Sequence, residues 1–139
     1  MNNKTNKKAR KRNRGFSLVE LIIVIAIMAI LAGVLAPQFI KYIGTSKKSS
    51  DIQNAQNAYD AISAQVADGA TLTTGSKTEI TDAVASSLNM GSKAPTSKVN
   101  SAYKYYYLVS GDSVSIYIGS SGTNHEVAPS IDTGSEWAK

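Results

Sequence analysis

The chain of 139 residues has no cysteine, one histidine and three prolines. Without cysteine the fold has no disulfide to brace it, and no thiolate is available as a nucleophile or as a metal ligand. The single histidine, His125, falls in a stretch rich in Gly, Ser and Asn, where it supports neither a zinc site nor a Ser-His dyad. We therefore expect no enzymatic activity, no catalytic residues, no cofactor and no metal site.

The net charge of +5 is distributed unevenly along the chain. Seven of the 15 cations precede Phe16, which leaves eight cations against ten acids and a net charge of −2 from Phe16 onward. A basic arm for nucleic acid is one interpretation of the first fifteen residues, but the mildly acidic remainder argues against nucleic acid as a partner. The length allows one small domain besides a membrane helix.

Residues 15–40, GFSLVELIIVIAIMAILAGVLAPQFI, form a long apolar stretch in which Glu20 is the only charge. Residues 21–36 alone make about 24 Å of helix, and the flanking apolar residues extend it past the roughly 30 Å hydrocarbon core of a bilayer. Cations that flank a first membrane helix stay on the cytoplasmic side. The sequence therefore predicts a cytoplasmic leader over residues 1–15, a membrane-spanning helix over 16–40 and an extracytoplasmic head over 41–139.

Glu20 is the anomaly of this stretch. A carboxylate in a membrane helix costs about 2.5–3.5 kcal/mol on insertion scales and usually marks a function with a partner. If the chain is cut before Phe16, the nearest cation is the new amino group of Phe16 itself or of a neighbouring copy.

The stretch resembles the class III leader and N-terminal helix of type IV prepilins, as in type IVa-like major pilins. The residues that carry the resemblance are Gly15, Phe16, Ser17, Leu18, Glu20 and the apolar run through Pro37. The resemblance implies a prepilin peptidase that cuts after Gly15 and N-methylates Phe16. It also implies a homo-oligomeric filament held by the apolar helices and by Glu20, with an assembly ATPase and a platform protein as further partners.

Gly33 and Pro37 weaken a helix, one through backbone entropy and the other through a missing donor. In the resembling pilins the segment between these positions loosens when subunits leave the bilayer, and we expect the same here. A cut after Ala36 by an ordinary signal peptidase is an alternative. It would leave Pro37 directly after the cut, and the apolar run is longer than the usual 7–15 or so residues.

The function implied by the resemblance is that of a pilus subunit serving adhesion, twitching motility or biofilm formation. Two alternatives stay open: a pseudopilin of a type II secretion or DNA-uptake system, and a single-pass membrane-anchored binding domain that does not polymerise. Major pseudopilins bind calcium in C-terminal loops, which makes Asp112, Glu126 and Asp132 candidate ligands. Their spacing does not match a calcium-loop motif.

Within the head, the stretch from residue 51 to about 68 has apolar residues at helical spacing and predicts an amphipathic helix. The apolar stripe consists of Ile52, Ala55, Tyr59, Ile62 and Val66. Asp68-Gly69 is typical of a helix C-terminus, whereas the polar residues 44–50 loosen or interrupt the pattern. The stripe needs a cover from the rest of the head.

A short helix over residues 79–89, with Thr78 as its N-cap, and a hairpin over residues 103–118 are predicted to supply that cover. The expected strand pairs are Val109 with Val114, Tyr107 with Ile116, and Tyr105 with Ile118. These pairs face the long helix. The fold class is therefore α+β, with a long N-terminal helix packed against a small antiparallel sheet.

The opposite face of the hairpin carries Tyr106 and Tyr117 and is more aromatic than a wet surface requires. We expect it to lie under Trp137 or Ile131, or against a neighbouring subunit. Residues 126–128 are predicted as a short third strand.

Overall fold

A computed structural model describes residues 15–120 and 123–138. The leader assigned to residues 1–15 lies outside these residues except for Gly15. The elements in chain order are α1 (Leu18–Ala67), β1 (Thr78–Glu79), α2 (Asp82–Ser87), β2 (Lys104–Ser110), β3 (Ser113–Ser120), β4 (Thr123–Ala128) and a short 3-10 helix (Glu136–Ala138). The chain divides into two compact units, Met1–Phe39 and Ile40–Lys139. The predicted α+β class is confirmed.

The long helix α1 is unbroken over its 50 residues. It continues through the polar stretch 44–50, where the apolar pattern of the sequence loosens, and ends at Ala67, close to the predicted end at about residue 68. Its C-terminus is closed as the sequence predicts. Ala70 N–H donates to Gln65 O at 2.9 Å and Gly69 N–H to Val66 O at 3.1 Å, while Gly69 has a φ of +78°. These two hydrogen bonds, around a glycine in the left-handed conformation, satisfy carbonyl groups that would otherwise lack a donor at the helix end.

The second half of α1 buries one face. Asp51, Ala55, Ala58 and Ile62 are buried at steps of three and four residues. Three further members of the predicted stripe are half-buried at its margins and pack against the core: Ile52, Tyr59 and Val66. The face predicted from the sequence is therefore confirmed, with its centre at the fully buried Ala55 and Ala58.

The sheet has four antiparallel strands in the order β1-β2-β3-β4. The predicted hairpin register is confirmed, since Val109 pairs with Val114, Tyr107 with Ile116 and Tyr105 with Ile118. All six side chains are buried in one core cluster with Ala55, Ala58 and Ile62. The strand predicted over residues 126–128 corresponds to β4, which begins three residues earlier, at Thr123.

The short helix predicted over residues 79–89 is wrong at both ends. Thr78 and Glu79 instead form β1 at the edge of β2, and Ile80 N–H donates to Tyr105 O at 2.8 Å. An open strand edge offers these backbone groups partners that a first helical turn cannot. The N-cap of α2 is therefore Thr81, whose Oγ1 accepts from Val84 N–H at 3.4 Å.

The outer face of the sheet is crossed by Lys77, which corrects the expectation that the C-terminal tail lies there. Lys77 Nζ lies 3.7 Å from the centroid of the Tyr117 ring and donates to Asn124 Oδ1 at 2.6 Å. A lysine stem can cover aromatic surface while its ammonium group remains in water. This arrangement gives the Tyr117 ring a partner on the outer face of the sheet.

The C-terminal tail packs on the other side of the sheet. Trp137 is buried in the core cluster, where its ring centroid lies 5.9 Å from that of Tyr103. Ile131 is exposed. Neither Trp137 nor Ile131 covers Tyr106 and Tyr117. Trp137 contacts Tyr103, which precedes β2 and lies on the same face of the sheet as the core residue Tyr105.

Candidate processing and assembly site

Gly15, Phe16 and Glu20 come together at the beginning of α1. Gly15, Phe16 and Ser17 precede the helix, and the side chain of Phe16 is 90% exposed. Adding a Cβ to Gly15 would meet nothing within 4 Å. The peptide bond between Gly15 and Phe16 therefore lies outside the helix, before its first turn.

Two hydrogen bonds close the N-terminus of α1. Ser17 N–H donates to Glu20 Oε2 at 2.8 Å, and Val19 N–H donates to Ser17 Oγ at 3.4 Å. Leu21 N–H donates to Ser17 O at 3.2 Å as the first helical bond. The arrangement is a capping box in which Glu20 binds back to the N-cap serine as usual, whereas the serine hydroxyl accepts from Val19 and not from Glu20.

Glu20 thus has a partner in its own chain, the backbone N–H of Ser17, besides the cation predicted from the sequence. The role of Ser17 as the N-cap was not predicted. The signal was present as Ser-x-x-Glu directly before an apolar run, which is the sequence signature of a capping box. A carboxylate in the first helical turn also interacts favourably with the helix dipole.

The surface of α1 from Leu18 to Ile40 is apolar except at Glu20 and Gln38, and it is uncovered. Every residue in this stretch, all of it within the described range, is exposed, including Ile30 at 67% and Leu35 at 59%. The helix contains an apolar segment long enough to cross a membrane by length and composition. An exposed apolar surface of this extent marks a contact with a membrane or with other protein.

Gly33 and Pro37 lie within this uncovered part of α1, away from the Phe16 end. The helix continues through both residues, and a Cβ on Gly33 would meet nothing within 4 Å. Neither residue is required by packing inside the single chain. Their predicted role as a flexible segment stays a prediction.

In the head, Asp51 anchors a loop to α1. Its buried carboxylate accepts from Ser97 Oγ at 2.5 Å, from Lys98 N–H at 2.6 Å and from Val99 N–H at 3.3 Å. Its backbone oxygen accepts from the Tyr105 hydroxyl at 3.3 Å. Burial, reinforced by the Asp51 carboxylate, raises the pKa of Tyr105, so this hydroxyl remains protonated and donates.

The candidate calcium ligands do not converge among the residues that the structure describes, where no three His, Cys, Asp or Glu side chains form a metal-binding group. Asp112 lies in the β2–β3 turn, and Glu126 accepts from Ser115 Oγ at 3.2 Å. Asp132 lies 2.9 Å from His125 Nδ1 and accepts from Gly134 N–H at 3.0 Å. The hydrogen bond to His125, and then that to Gly134, lower the pKa of Asp132.

Comparison with known proteins gives a family match near the N-terminus and a similar relative. The family model described as the prokaryotic N-terminal methylation motif matches residues 10–36. A stretch of 50 residues is 50% identical to the type IV major pilin protein PilA of Myxococcus xanthus (strain DK1622), which covers 36% of this chain. The match spans 23% of that relative's length. No solved structure matches the chain.

The methylation motif at residues 10–36 and the similarity to a type IV major pilin confirm the resemblance to type IV pilins. The matched motif includes Gly15, Phe16, Glu20 and Gly33, and Pro37 follows it directly.

Proposed function

We propose that this chain is the precursor of a type IV pilus subunit, on the premise that its N-terminal segment is similar to that of type IV pilins. A prepilin peptidase removes residues 1–15 and N-methylates Phe16. The mature chain is held in the membrane by residues 16–40, with its head outside, and then polymerises. The resulting filament serves adhesion, twitching motility or biofilm formation.

The observation that supports this proposal most strongly is the uncovered apolar surface of α1 together with the methylation motif. Small residues at Ala26, Ala29, Ala32 and Gly33 let neighbouring helices approach closely, as in membrane helix pairs. Transfer from lipid to neighbouring helices keeps the apolar surface out of water in both states. In a filament core, neighbouring helices therefore cover the apolar surface of each α1, and no part of the head has to do so.

Glu20 has a specific role in this proposal. Removal of the leader creates an ammonium group on Phe16, one residue before the amide that Glu20 already binds. In a filament core the carboxylate pairs with the amine of a neighbouring copy, because an uncompensated buried charge costs about 3–5 kcal/mol. This cost favours one axial register between adjacent helices.

The Gly15–Phe16 bond is tested by mass spectrometry of the protein from its native cells. We expect a chain that begins at Phe16 and carries one additional methyl group on its amine. A Gly15→Val variant is expected to keep the leader, because a branched side chain crowds the backbone at the cut, whereas Gly33→Ala should be processed normally. A cellular form that still begins at Met1 contradicts the proposal.

Electron microscopy of the cell surface separates a pilus from a pseudopilus. Long fibres that contain this chain support the pilus subunit, and fibres too short to leave the envelope support the pseudopilin alternative. An assembly ATPase and a platform protein are further partners in the proposal, and loss of either is expected to leave processed chains in the membrane.

A further inference from the structure

The segment of α1 that follows the apolar surface is polar and has no buried residue. Residues 41–50, the juxtamembrane segment, are all described and are all exposed or half-buried, and the first buried residue of α1 is Asp51. Half of the segment consists of weak helix formers: Gly44, Thr45, Ser46, Ser49 and Ser50. The segment is continuous with helix on both sides, and its exposed side chains are available to a partner outside the chain.

The charge of the segment indicates the chemistry of that partner. Residues 38–50 contain three lysines and no acid. Lys41 and Lys47 are exposed, and Tyr42 between them is 72% exposed. Lys48 is half-buried, so the inference rests on Lys41 and Lys47.

Membrane topology does not explain these lysines. Cations next to a membrane helix favour the cytoplasmic side, yet in the proposed orientation these lie on the exported side. The seven cations before Phe16 have to outweigh them for the head to be exported. Because these lysines oppose the orientation of their own helix, we expect them to have a function other than setting the topology.

The position of the segment selects the partner. Lys41 and Tyr42 directly follow Ile40, the last apolar residue of the span, and a headgroup layer is about 5–8 Å thick on each side of the hydrocarbon core. Lys47 is about 10 Å of helix beyond Ile40, within reach of the outer edge of that layer. Tyrosine is enriched at this depth, and lysine side chains extend toward it.

We propose that Lys41, Tyr42 and Lys47 bind anionic phospholipid headgroups on the exported side of the membrane, which fixes the depth of the subunit before assembly. This inference rests on the proposed membrane-stored state. Extraction into a filament has to break these contacts, so they also set part of the resistance to assembly.

The test uses the full chain in vesicles of phosphatidylcholine alone and of phosphatidylcholine mixed with phosphatidylglycerol. Hydrogen–deuterium exchange is followed for peptides covering residues 41–50, which separates this segment from the basic leader. We expect about tenfold slower exchange in the anionic vesicles, from two lysines near a charged surface, and a smaller difference at high salt.

The variant Lys41→Gln/Lys47→Gln is expected to exchange at the same rate in both kinds of vesicle. The matched control is Lys93→Gln/Lys104→Gln, which removes the same charge from the head and should retain the wild-type difference. Equal exchange of the wild type in the two vesicles overturns the inference. So does protection that rises with the protein-to-lipid ratio in phosphatidylcholine alone, because that outcome indicates a contact between copies.

An alkaline carbonate wash separates this failure from failure of the proposed function. If the wild type stays in both vesicles and exchanges equally, only the headgroup contact is refuted. If the wash removes the chain, the membrane-stored state itself is wrong.

Discussion

Ile25 and Ile62 lie on the same helix in opposite surroundings. Ile62 is fully buried among residues of the sheet, whereas Ile25 is 56% exposed. The second half of α1 has one polar and one apolar face, and the apolar face packs against the core of the same chain. The first half is apolar on all sides except at Glu20 and Gln38 and is exposed. A helix that is apolar all round is buried in lipid or in a larger assembly, so its partner comes from outside the chain.

The largest expected effect comes from changing Glu20, which belongs to the uncovered half. Glu20→Gln keeps an oxygen that can cap Ser17 N–H but removes the charge, and Glu20→Ala removes both. If pairing with a neighbouring amine directs assembly, both variants lose about 3–5 kcal/mol and yield almost no sheared filaments. Mass spectrometry of the membrane fraction should show both variants processed. Normal filaments from Glu20→Gln would reduce Glu20 to a helix cap.

The same truncation in the two halves sharpens the comparison directly. Ile62→Ala leaves a cavity in the head core and is expected to lower the free energy of unfolding by about 2–5 kcal/mol. Ile25→Ala should change it by less than about 0.5 kcal/mol. Urea unfolding of the full chain in detergent, followed by the fluorescence of the single tryptophan, Trp137, measures both. Equal losses would show that the two halves do not differ as described.

Asp51 tests whether a charge inside the covered half is structural. Asp51→Ala leaves the Ser97 hydroxyl and two backbone N–H groups without their acceptor, and we expect a loss of about 2–3 kcal/mol in the same unfolding experiment. The matched control is Asp60→Ala, an exposed residue on the same helix that accepts from Gln56 Nε2 at 3.1 Å. A control as damaging as Asp51→Ala would refute the anchoring role.

The smallest expected effect concerns Asp132 at the surface of the head. Its pKa is lowered from the ordinary value of 3.8 by the hydrogen bonds from His125 and Gly134. A lowered carboxyl pKa stabilises the fold above the unfolded value, and this contribution disappears as the pH falls through the folded value. Asp132→Asn should therefore lower the urea midpoint slightly at neutral pH. The difference from wild type should close below pH 3.8, and a gap independent of pH would contradict this.

Much of the fold follows from local pattern. Apolar spacing predicts the buried face around Ala55 and Ile62, and alternation predicts the β2–β3 register, because both depend only on which side chains avoid water. The edge strand at Thr78 does not follow in this way. Its partner, the open edge of β2, lies some 28 residues later in the chain, so a local helix signal is overridden by a distant hydrogen-bonding edge.

The residues of the candidate site and of the head also differ in how far the sequence predicts their roles. Gly15, Phe16 and Glu20 are found from the sequence because the carboxylate in an apolar run is an anomaly. The role of Asp51 cannot be predicted in this way, since an acid before an amphipathic stretch usually faces water. The donors to its carboxylate, in residues 97–99, are remote in sequence. Its place four residues before Ala55, on the buried face, was the available signal.

The proposed filament requires the first half of α1 to be covered by other copies of this chain. A cryo-EM map of filaments from native cells tests this requirement most directly. We predict helices over residues 18–40 packed around the filament axis, with Glu20 within hydrogen-bonding distance of a neighbour's Phe16 amine. A map that places this apolar surface on the outside of the fibre, or native protein found only as a monomer beginning at Met1, would contradict it.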